Sequence, residues 1–455
     1  MQVIQAKQAL TPDGWANDVA VCIDNAGRIE SVGASAHPVT HHADLLLPAP
    51  TNLHSHTFQR AMSGLTETRG PNPNDSFWTW RQLMYRYLDR LSPDDIEAIA
   101  AMVFMEMLET GYAGVAEFHY LHHDVGGVPY ADLGELSGRI VAAARATGIG
   151  LTLLPVLYQW GGIDGRALAG GQKRFGNDPA RYGDLHAAGA KLISAGPADY
   201  SIGIAPHSLR AVDGAGMQMA LGLSDTGPVH MHLAEQVAEV EEIEAHTGKR
   251  PTEWLLDNYD VNDRWCLIHA TQMTEAETLG LARSGAVAGL CPITESSLGD
   301  GIFNGTQFVA AGGRVGFGSD SNIHVSYFDE LRTLDYSQRL RDRSRAALAT
   351  ADRSTGRVLV DLASAGGAQA AGRASGSIAP GQWADLLALS VDNPVVCNRQ
   401  GDVALDTLIF GGQGDRCIRD VWSAGRHVIT GGRHPEREAI AARFQKVVGA
   451  LGQDI

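Results

Sequence analysis

Short apolar runs recur along the middle of the chain, and helix-like stretches with capping residues separate them. Ser92 and Pro93 open one such stretch, which runs to Glu109, and Thr274 with Glu277 forms the capping-box pattern of another. Strands that are apolar on both faces and alternate with helices form parallel sheets, and eight such units can close into a (β/α)8 TIM barrel. We therefore predict this barrel from eight strands, at 46–54, 113–120, 149–158, 199–207, 227–233, 265–271, 286–293 and 314–320.

The two ends of the chain have a different pattern, in which short alternating strands are separated by tight turns. Neither end is long enough to bury a core alone, so we expect the two ends to pair. Residues 1–45 and 376–455 should form a small discontinuous β-sandwich with a terminal helix, beside a barrel of residues 46–375. Within the barrel, the acidic run 239–244 predicts the solvated face of a helix.

The charge, the apolar runs and the cysteines of the chain exclude several classes of binding partner and site. The 455 residues include 36 Lys and Arg against 52 Asp and Glu, a formal net charge of −16, which argues against a nucleic-acid partner. The N-terminus lacks a signal-peptide pattern and no apolar run is long enough to span a bilayer, so we expect a cytoplasmic protein with no membrane partner. Five scattered cysteines without a CxxC pair indicate free thiols rather than disulfides or a thiolate zinc site.

Histidines and acidic residues occur at the C-terminal ends of the predicted strands, where barrel enzymes place their catalytic groups. Side chains two positions apart on a strand share a face, so each HxH pair should point into the barrel. Four of the eight predicted strands end in a His or Asp of the kind that binds metal, which is too many to be explained by chance. The side chains are His54 and His56 on the first strand, His230, His232 and Glu235 on the fifth, His269 on the sixth and Asp320 on the eighth.

Three neutral imidazoles and one carboxylate suit Zn²⁺ or another borderline divalent ion, with one position left open for water. Such an ion makes hydroxide available near neutral pH. Glu235 is then placed to act as a general base, and His269 to hydrogen-bond the same water or the oxyanion. Asp320 should stay ionised because the ion is its counter-charge. His230 lies lower on its strand, so we expect it to be packed, or to support a ligand, rather than to bind metal.

At these residues the chain resembles the amidohydrolase superfamily, and within it the deaminases that use one metal ion. The resemblance implies that His54, His56, His232 and Asp320 bind that ion and that Glu235 and His269 transfer protons. Residues 48–51 read Pro-Ala-Pro-Thr where many members have Pro-Gly, which affects the start of the strand and not the ligands. The matching pieces are His54-Ser55-His56, His232-x-x-Glu235, His269, Ser319-Asp320 and Pro380-Gly381-x-x-Ala384-Asp385-Leu386.

Residues 54–62, 77–81, 117–120 and 205–210 resemble, more narrowly, the N-formimino-L-glutamate deiminases of histidine degradation. The resemblance implies a metal-dependent hydrolysis of N-formimino-L-glutamate to N-formyl-L-glutamate and ammonia, and a homodimer. It also implies a set of substrate-binding residues, namely Gln59, Arg81, Tyr120, His207 and Arg210.

A small dicarboxylate substrate gives the two arginines a physical role of their own. A guanidinium group matches a carboxylate bidentately, and we expect Arg81 in the long loop after the first strand and Arg210 just beyond the fourth. Because the chain is acidic overall, these side chains and the metal ion would have to create a local positive field. Taken singly, each arginine could equally form a surface ion pair, and His207 could be either a substrate contact or a core residue.

Two alternatives stay open at this point. A related deaminase that acts on a purine, pterin or triazine ring would need aromatic stacking more than two arginines. A non-catalytic relative would keep the barrel as a scaffold for partners, although such a protein would usually have lost metal ligands that this chain retains.

Overall fold

The structure is a computed structural model that describes residues 1–67 and 77–452. Its strands, in chain order, are β1 Gln2–Thr11, β2 Gly14–Ile23, β3 Ile29–Gly33, β4 His41–Pro48, β5 Thr51–Ser55, β6 Gly114–His119, β7 Gly150–Leu157, β8 Ser201–Ile202, β9 Ala205–Pro206, β10 Val229–Leu233, β11 Trp265–His269, β12 Val287–Leu290, β13 Arg314–Phe317, β14 Leu386–Leu389, β15 Ile418–Ser423 and β16 Arg426–Thr430.

The α-helices separate successive strands along most of the chain. They are α1 Phe77–Leu88, α2 Pro93–Glu109, α3 Glu135–Thr147, α4 Pro179–Ser194, α5 Gly214–Leu221, α6 Val237–Thr247, α7 Pro251–Asn258, α8 Glu275–Ser284, α9 Pro292–Leu298, α10 Gly305–Ala310, α11 Tyr327–Asp342, α12 Thr355–Ala370, α13 Gly401–Phe410, α14 Gly414–Cys417 and α15 Arg437–Leu451. The predicted capping box of Thr274 with Glu277 before α8 is confirmed, and Ser92 caps α2 as predicted, where it also forms a capping box with Asp95.

The inner layer is a ring of parallel strands. β5, β6 and β7 form one sheet with β8, while β9 also pairs with β7, and β10 to β13 form a second sheet. β8 and β9 together occupy the fourth position, and isolated parallel bridges join the two sheets at both seams, Ser55 with Asp320 and Ile204 with Val229. Eight strand positions therefore surround one core, and the predicted (β/α)8 barrel is confirmed.

The outer layer joins the two ends of the chain, as expected. Seven strands form one continuous sheet in the order β16-β15-β14-β4-β1-β2-β3. β4 pairs in parallel with β1 and antiparallel with β14, so residues from both ends of the sequence meet along β4. Ile4, Val21 and Trp422 are buried in a separate small core on this sheet.

The first predicted strand, 46–54, is divided between the two layers. Residues 46–48 belong to β4 of the outer sheet, whereas the barrel strand β5 begins at Thr51. A single strand was the wrong prediction because Pro48 and Pro50 have no N–H to donate to a ladder. Between them, the Ala49 N–H donates to the Asp385 carbonyl in the outer domain, at 3.0 Å.

A buried ion-pair network fixes the outer sheet to the barrel. Arg373, which follows α12, donates from Nε to Asp385 Oδ2 at 2.6 Å and from Nη2 to Asp199 Oδ2 at 3.0 Å. Arg426 in β16 donates to the two oxygens of Asp199 at 2.7 and 2.8 Å. Arg373 and both carboxylates are almost fully buried, so each charge depends on its partners to offset the loss of hydration.

No helix in the described ranges is both long and apolar enough to cross a membrane. All five cysteines are free, and four of them are buried.

Candidate active site

Four candidate metal ligands converge at the C-terminal ends of the barrel strands. His54 lies in β5, His56 directly follows it, His232 lies in β10 and Asp320 follows β13. One nitrogen or oxygen atom from each side chain lies within 4.8 Å of those of the other three, and all four residues are buried. Asp320 Oδ1 is 3.4 Å from His54 Nε2 and 3.3 Å from His56 Nε2.

The surroundings of the three imidazoles suit a cation. His56 Nδ1 lies 3.0 Å from the Phe118 carbonyl and His232 Nδ1 lies 3.2 Å from the His207 carbonyl, which leaves each Nε2 free to bind metal. Neither ring nitrogen of His54 makes a hydrogen bond within the described ranges, although the residue is fully buried. Burial lowers the pKa of all three imidazoles, that of His54 to about 3, so they are neutral. The residues therefore fit one divalent metal ion.

A hydrogen-bond network behind these side chains connects the first and last strands of the barrel. Asn52 Nδ2 donates to Ser319 Oγ at 2.7 Å, and Ser319 Oγ donates to Asn322 Oδ1 at 2.6 Å. The Asp320 carbonyl accepts from Asn322 Nδ2 at 3.0 Å and from the His56 N–H at 2.9 Å. The segments that carry His56 and Asp320 are thus held in a fixed relation.

Non-glycine residues with a left-handed backbone are concentrated at these strand ends. Such conformations cost about 1–3 kcal/mol each and persist where the surrounding structure enforces them, often at functional sites. They occur here at the ends of the fifth, sixth and eighth strand positions. The residues and their φ angles are Ala234 (51°), His269 (70°), Ala270 (48°), Asp320 (45°) and Asn322 (55°).

Two candidate proton-transfer groups lie beside the cluster. Glu235 Oε1 is 3.8 Å from His269 Nε2, which is itself 3.9 Å from Asp320 Oδ2. On the other side of the imidazole, His269 Nδ1 is 3.2 Å from Glu295 Oε1. Burial alone would lower the pKa of His269, but the three carboxylates outweigh it and raise the pKa to about 10. Burial raises the pKa of Glu235, so at neutral pH the pair offers one proton donor and one base of increased strength.

Comparison with known proteins assigns the chain to a family. The model of the amidohydrolase family matches residues 45–428. The chain belongs to the amidohydrolase family. A further model, described as the N-terminal domain of formimidoylglutamate deiminase HutF, matches residues 1–41 of this amidohydrolase.

Several known proteins are similar to this amidohydrolase over nearly its full length. It is 50% identical to the formimidoylglutamate deiminase of Pseudomonas aeruginosa, over 99% of this chain and 100% of that one. It is 27% identical to a 5-methylthioadenosine/S-adenosylhomocysteine deaminase of Halobacterium salinarum, over 98% and 97% of the two chains. A solved structure of an amidohydrolase from Brucella melitensis has a TM-score of 0.95 at 47% identity, covering 99% of this chain and 100% of that one. An adenosine deaminase from Xanthomonas campestris with bound zinc shares the fold, with a TM-score of 0.80 at 23% identity over 99% and 98% of the chains.

The predicted substrate-binding residues of this amidohydrolase all line the cavity that is also lined by three of the four candidate ligands, His56, His232 and Asp320. Gln59 Nε2 donates to the Tyr120 hydroxyl at 2.9 Å. His207 is half-buried and its ring centroid lies 4.4 Å from that of Tyr158, so it forms part of the cavity wall. The lining set includes Gln59, Arg81, Tyr120, His207 and Arg210.

Arg81 reaches the cavity from an element that the sequence did not suggest. It lies in α1 rather than in a loop, and residues 77–88 contain no glycine or proline that would interrupt a helix. Its Nη2 donates to the Tyr158 hydroxyl at 2.9 Å. Tyr158 directly follows β7, a strand-end position that could have identified it as a site residue.

Two acidic residues near the cavity were also missed. Glu295 lies in the first turn of α9 and accepts the Cys291 N–H at 2.9 Å as well as contacting His269. Glu239 belongs to the acidic run that predicts a solvated face, and for this residue the prediction is wrong because its side chain is buried. Its position four residues after Glu235 was the available signal. His230, by contrast, packs away from the ligands, with Nε2 2.7 Å from the Ala370 carbonyl.

Proposed function

We propose that this amidohydrolase is a deiminase that hydrolyses N-formimino-L-glutamate to N-formyl-L-glutamate and ammonia in histidine degradation. The 50% identity to the formimidoylglutamate deiminase of Pseudomonas aeruginosa supports this function along the full length. The observation that carries the proposal is that one cavity is lined by three of the candidate metal ligands and by Arg81 and Arg210. Arginine recognises carboxylates bidentately, and this substrate has two of them.

His54, His56, His232 and Asp320 would hold one divalent metal ion, for which we propose Zn²⁺. When bound, such an ion activates a water molecule at neutral pH. Burial alone would raise the pKa of Asp320, but the imidazoles of His54 and His56 outweigh it and keep the pKa below its ordinary range. The carboxylate and the neutral imidazoles therefore all offer lone pairs at neutral pH.

Glu235 and His269 would move the protons. Glu235 takes a proton from the attacking water, whose oxygen forms a bond to the formimino carbon. Glu235 passes this proton to the imino nitrogen, whose π bond to the carbon breaks. Glu235 then moves the second proton of the water from the hydroxyl of the tetrahedral intermediate to the same nitrogen, the remaining C–N bond breaks, and ammonia leaves as the oxygen becomes the formyl carbonyl. Protonated His269, 3.8 Å from Glu235, donates a hydrogen bond to the oxygen that becomes the formyl oxygen.

The remaining cavity residues would orient the substrate. Arg81 and Arg210 would pair with the two carboxylates of the substrate. Gln59 and Tyr120 would offer hydrogen bonds to the part of the substrate that lies between these carboxylates and the reacting carbon. Burial raises the pKa of Tyr120 well above its ordinary value, so the phenol stays a proton donor. Tyr158 accepts a hydrogen bond from Arg81 and would hold the guanidinium in place.

The decisive experiment compares substrates. Ammonia release should be fast with N-formimino-L-glutamate, with N-formyl-L-glutamate as the second product by NMR. Guanine and S-adenosylhomocysteine should turn over poorly, because the cavity presents two arginines to the substrate. A higher kcat/KM for either ring substrate would contradict the proposal and favour a ring deaminase.

Metal analysis of the purified protein tests the choice of ion, and we expect about one zinc per chain. Another first-row metal in that amount would correct the ion and leave the reaction unchanged. The homodimer stays a prediction from the resemblance, and light scattering coupled to size-exclusion chromatography tests it. The cytoplasmic location stays a prediction from the sequence.

A further inference from the structure

Glu239 is a buried acid that contacts two residues of the site and has no role in the proposed mechanism. It lies in the first turn of α6 and is 1% exposed. Its Oε2 accepts the backbone N–H of Glu235 at 3.0 Å. Because Glu235 follows β10 through the left-handed Ala234, this hydrogen bond fixes the segment that carries the candidate general base.

The second oxygen of Glu239 faces an arginine of the cavity. Its Oε1 lies 3.8 Å from Arg210 Nε, and Arg210 is 8% exposed. Neither atom makes a hydrogen bond within the described residues. At this separation, and with little water nearby, opposite charges attract strongly enough to orient a guanidinium. Attraction on the Nε side leaves the Nη atoms of Arg210 available for a carboxylate in the cavity that it lines.

We propose that Glu239 is a positioning residue that holds the general base Glu235 and the substrate-binding Arg210 in one arrangement. The carboxylate of Glu239 thereby connects the residue that would bind a carboxylate of the substrate, Arg210, to the residue that would act on its reacting carbon, Glu235. This inference rests on the proposed function, since it assigns a carboxylate of the substrate to Arg210.

A purely structural role for Glu239 would be that of a helix cap. An acidic residue in the first helical turn stabilises the N-terminus through the helix dipole and the free N–H groups. Glu239, however, accepts from Glu235, which lies before the helix and before its N-cap residue Gln236. Its other oxygen faces Arg210 rather than the helix. A cap would affect stability alone, whereas a positioning residue affects kcat and KM.

Two variants separate the two contacts. Glu239→Gln keeps an oxygen that can accept the Glu235 N–H but removes the charge that faces Arg210. Its KM for N-formimino-L-glutamate should rise about tenfold, with kcat within about threefold of the unmodified enzyme. Glu239→Ala removes both contacts, so kcat should also fall by about tenfold or more because Glu235 is no longer held. Glu241→Gln removes an exposed acid from the same helix and is the matched control.

A double-mutant cycle tests whether Glu239 acts through Arg210. In an Arg210→Met background, Glu239→Gln should change kcat/KM by less than about twofold, because the side chain it orients is absent. The cycle uses only the conservative variant, so it stands even if Glu239→Ala does not fold.

The outcomes distinguish this inference from the function on which it rests. If the unmodified enzyme does not turn over N-formimino-L-glutamate, the proposed function fails. If it is active and both Glu239 variants match Glu241→Gln in kcat and KM, with only a lower melting temperature, Glu239 is a helix cap and the inference is overturned. An unchanged or lower KM in Glu239→Gln, or full additivity with Arg210→Met, also overturns it.

Discussion

The Nε2 atom of His269 lies 3.8 Å from Oε1 of Glu235, and both side chains are buried next to the candidate metal ligands. Glu295 contacts the opposite nitrogen of the same imidazole, so His269 is held between carboxylates. Such a pair can divide the work of acid and base catalysis, because its two members favour opposite protonation states. The roles we propose for the two residues follow from this arrangement.

Glu235→Gln should retain metal and lose turnover. The amide preserves the size of the side chain but cannot accept the proton of water, so kcat should fall by about 10²–10⁴-fold. Steady-state kinetics and metal analysis of the same preparation check the two halves of the prediction. Glu241→Gln, an exposed acid on α6, should behave like the unmodified enzyme. Near-normal turnover in Glu235→Gln would remove it from the mechanism.

We expect kcat/KM to fall at acidic pH, where Glu235 becomes protonated, and at alkaline pH, where His269 loses its proton. Glu235 must be ionised to accept a proton, and burial raises its pKa above the ordinary 4.5, so activity should fall as pH decreases through a value above 4.5. His269 must be protonated to donate, and its pKa of about 10 places the second decrease on the alkaline side. Initial rates measured from about pH 4.5 to about pH 10.5 cover the range set by the pKa shifts of Glu235 and His269. Metal content should be measured at the lowest and the highest pH. Constant kcat/KM down to the acidic limit would contradict the role of Glu235.

Neutralising either arginine of the cavity should weaken substrate binding. Arg81→Gln or Arg210→Gln removes a charge-assisted pair with a carboxylate, so KM should rise by about 10–100-fold. Arg166, which is exposed and pairs with Glu242, supplies the matched control, and Arg166→Gln should leave KM unchanged. If KM stays near normal in both cavity variants, the dicarboxylate substrate is wrong even if deaminase activity remains.

The buried ion pairs between the two layers should matter for stability. Arg373→Met leaves Asp199 and Asp385 without their shared partner, so the free energy of unfolding should fall by about 3–5 kcal/mol. Urea unfolding at neutral pH measures this change. Lys7→Ala breaks an exposed pair with Asp44 and should have little effect. Equal stability of the two variants would show that Arg373 does not hold the layers together.

The sequence predicted the ring of strands and the candidate ligands because both depend on local patterns. His54 and His56 share a face whatever the register of neighbouring strands, and residues that end parallel strands meet at one edge. The expected solvent exposure of Glu239 was wrong for a different reason. Whether a residue is solvated depends on which helix packs against which loop, and the charge of a run such as 239–244 averages over residues with different neighbours. Glu239 is buried because it lies against Glu235 and Arg210, which only tertiary structure brings together.

The seam between the first and last barrel strands has a consequence for how the protein is made. Asn52 and Ser319, which hydrogen-bond across it, are 267 positions apart in the chain. A nascent chain on the ribosome therefore has His54 and His56 long before it has Asp320, and it cannot assemble the ligand set until the whole barrel has been synthesised. Contacts of such long range form late in folding. Uptake of the metal ion would accordingly mark the completion of the ring, and truncated chains would be left without it.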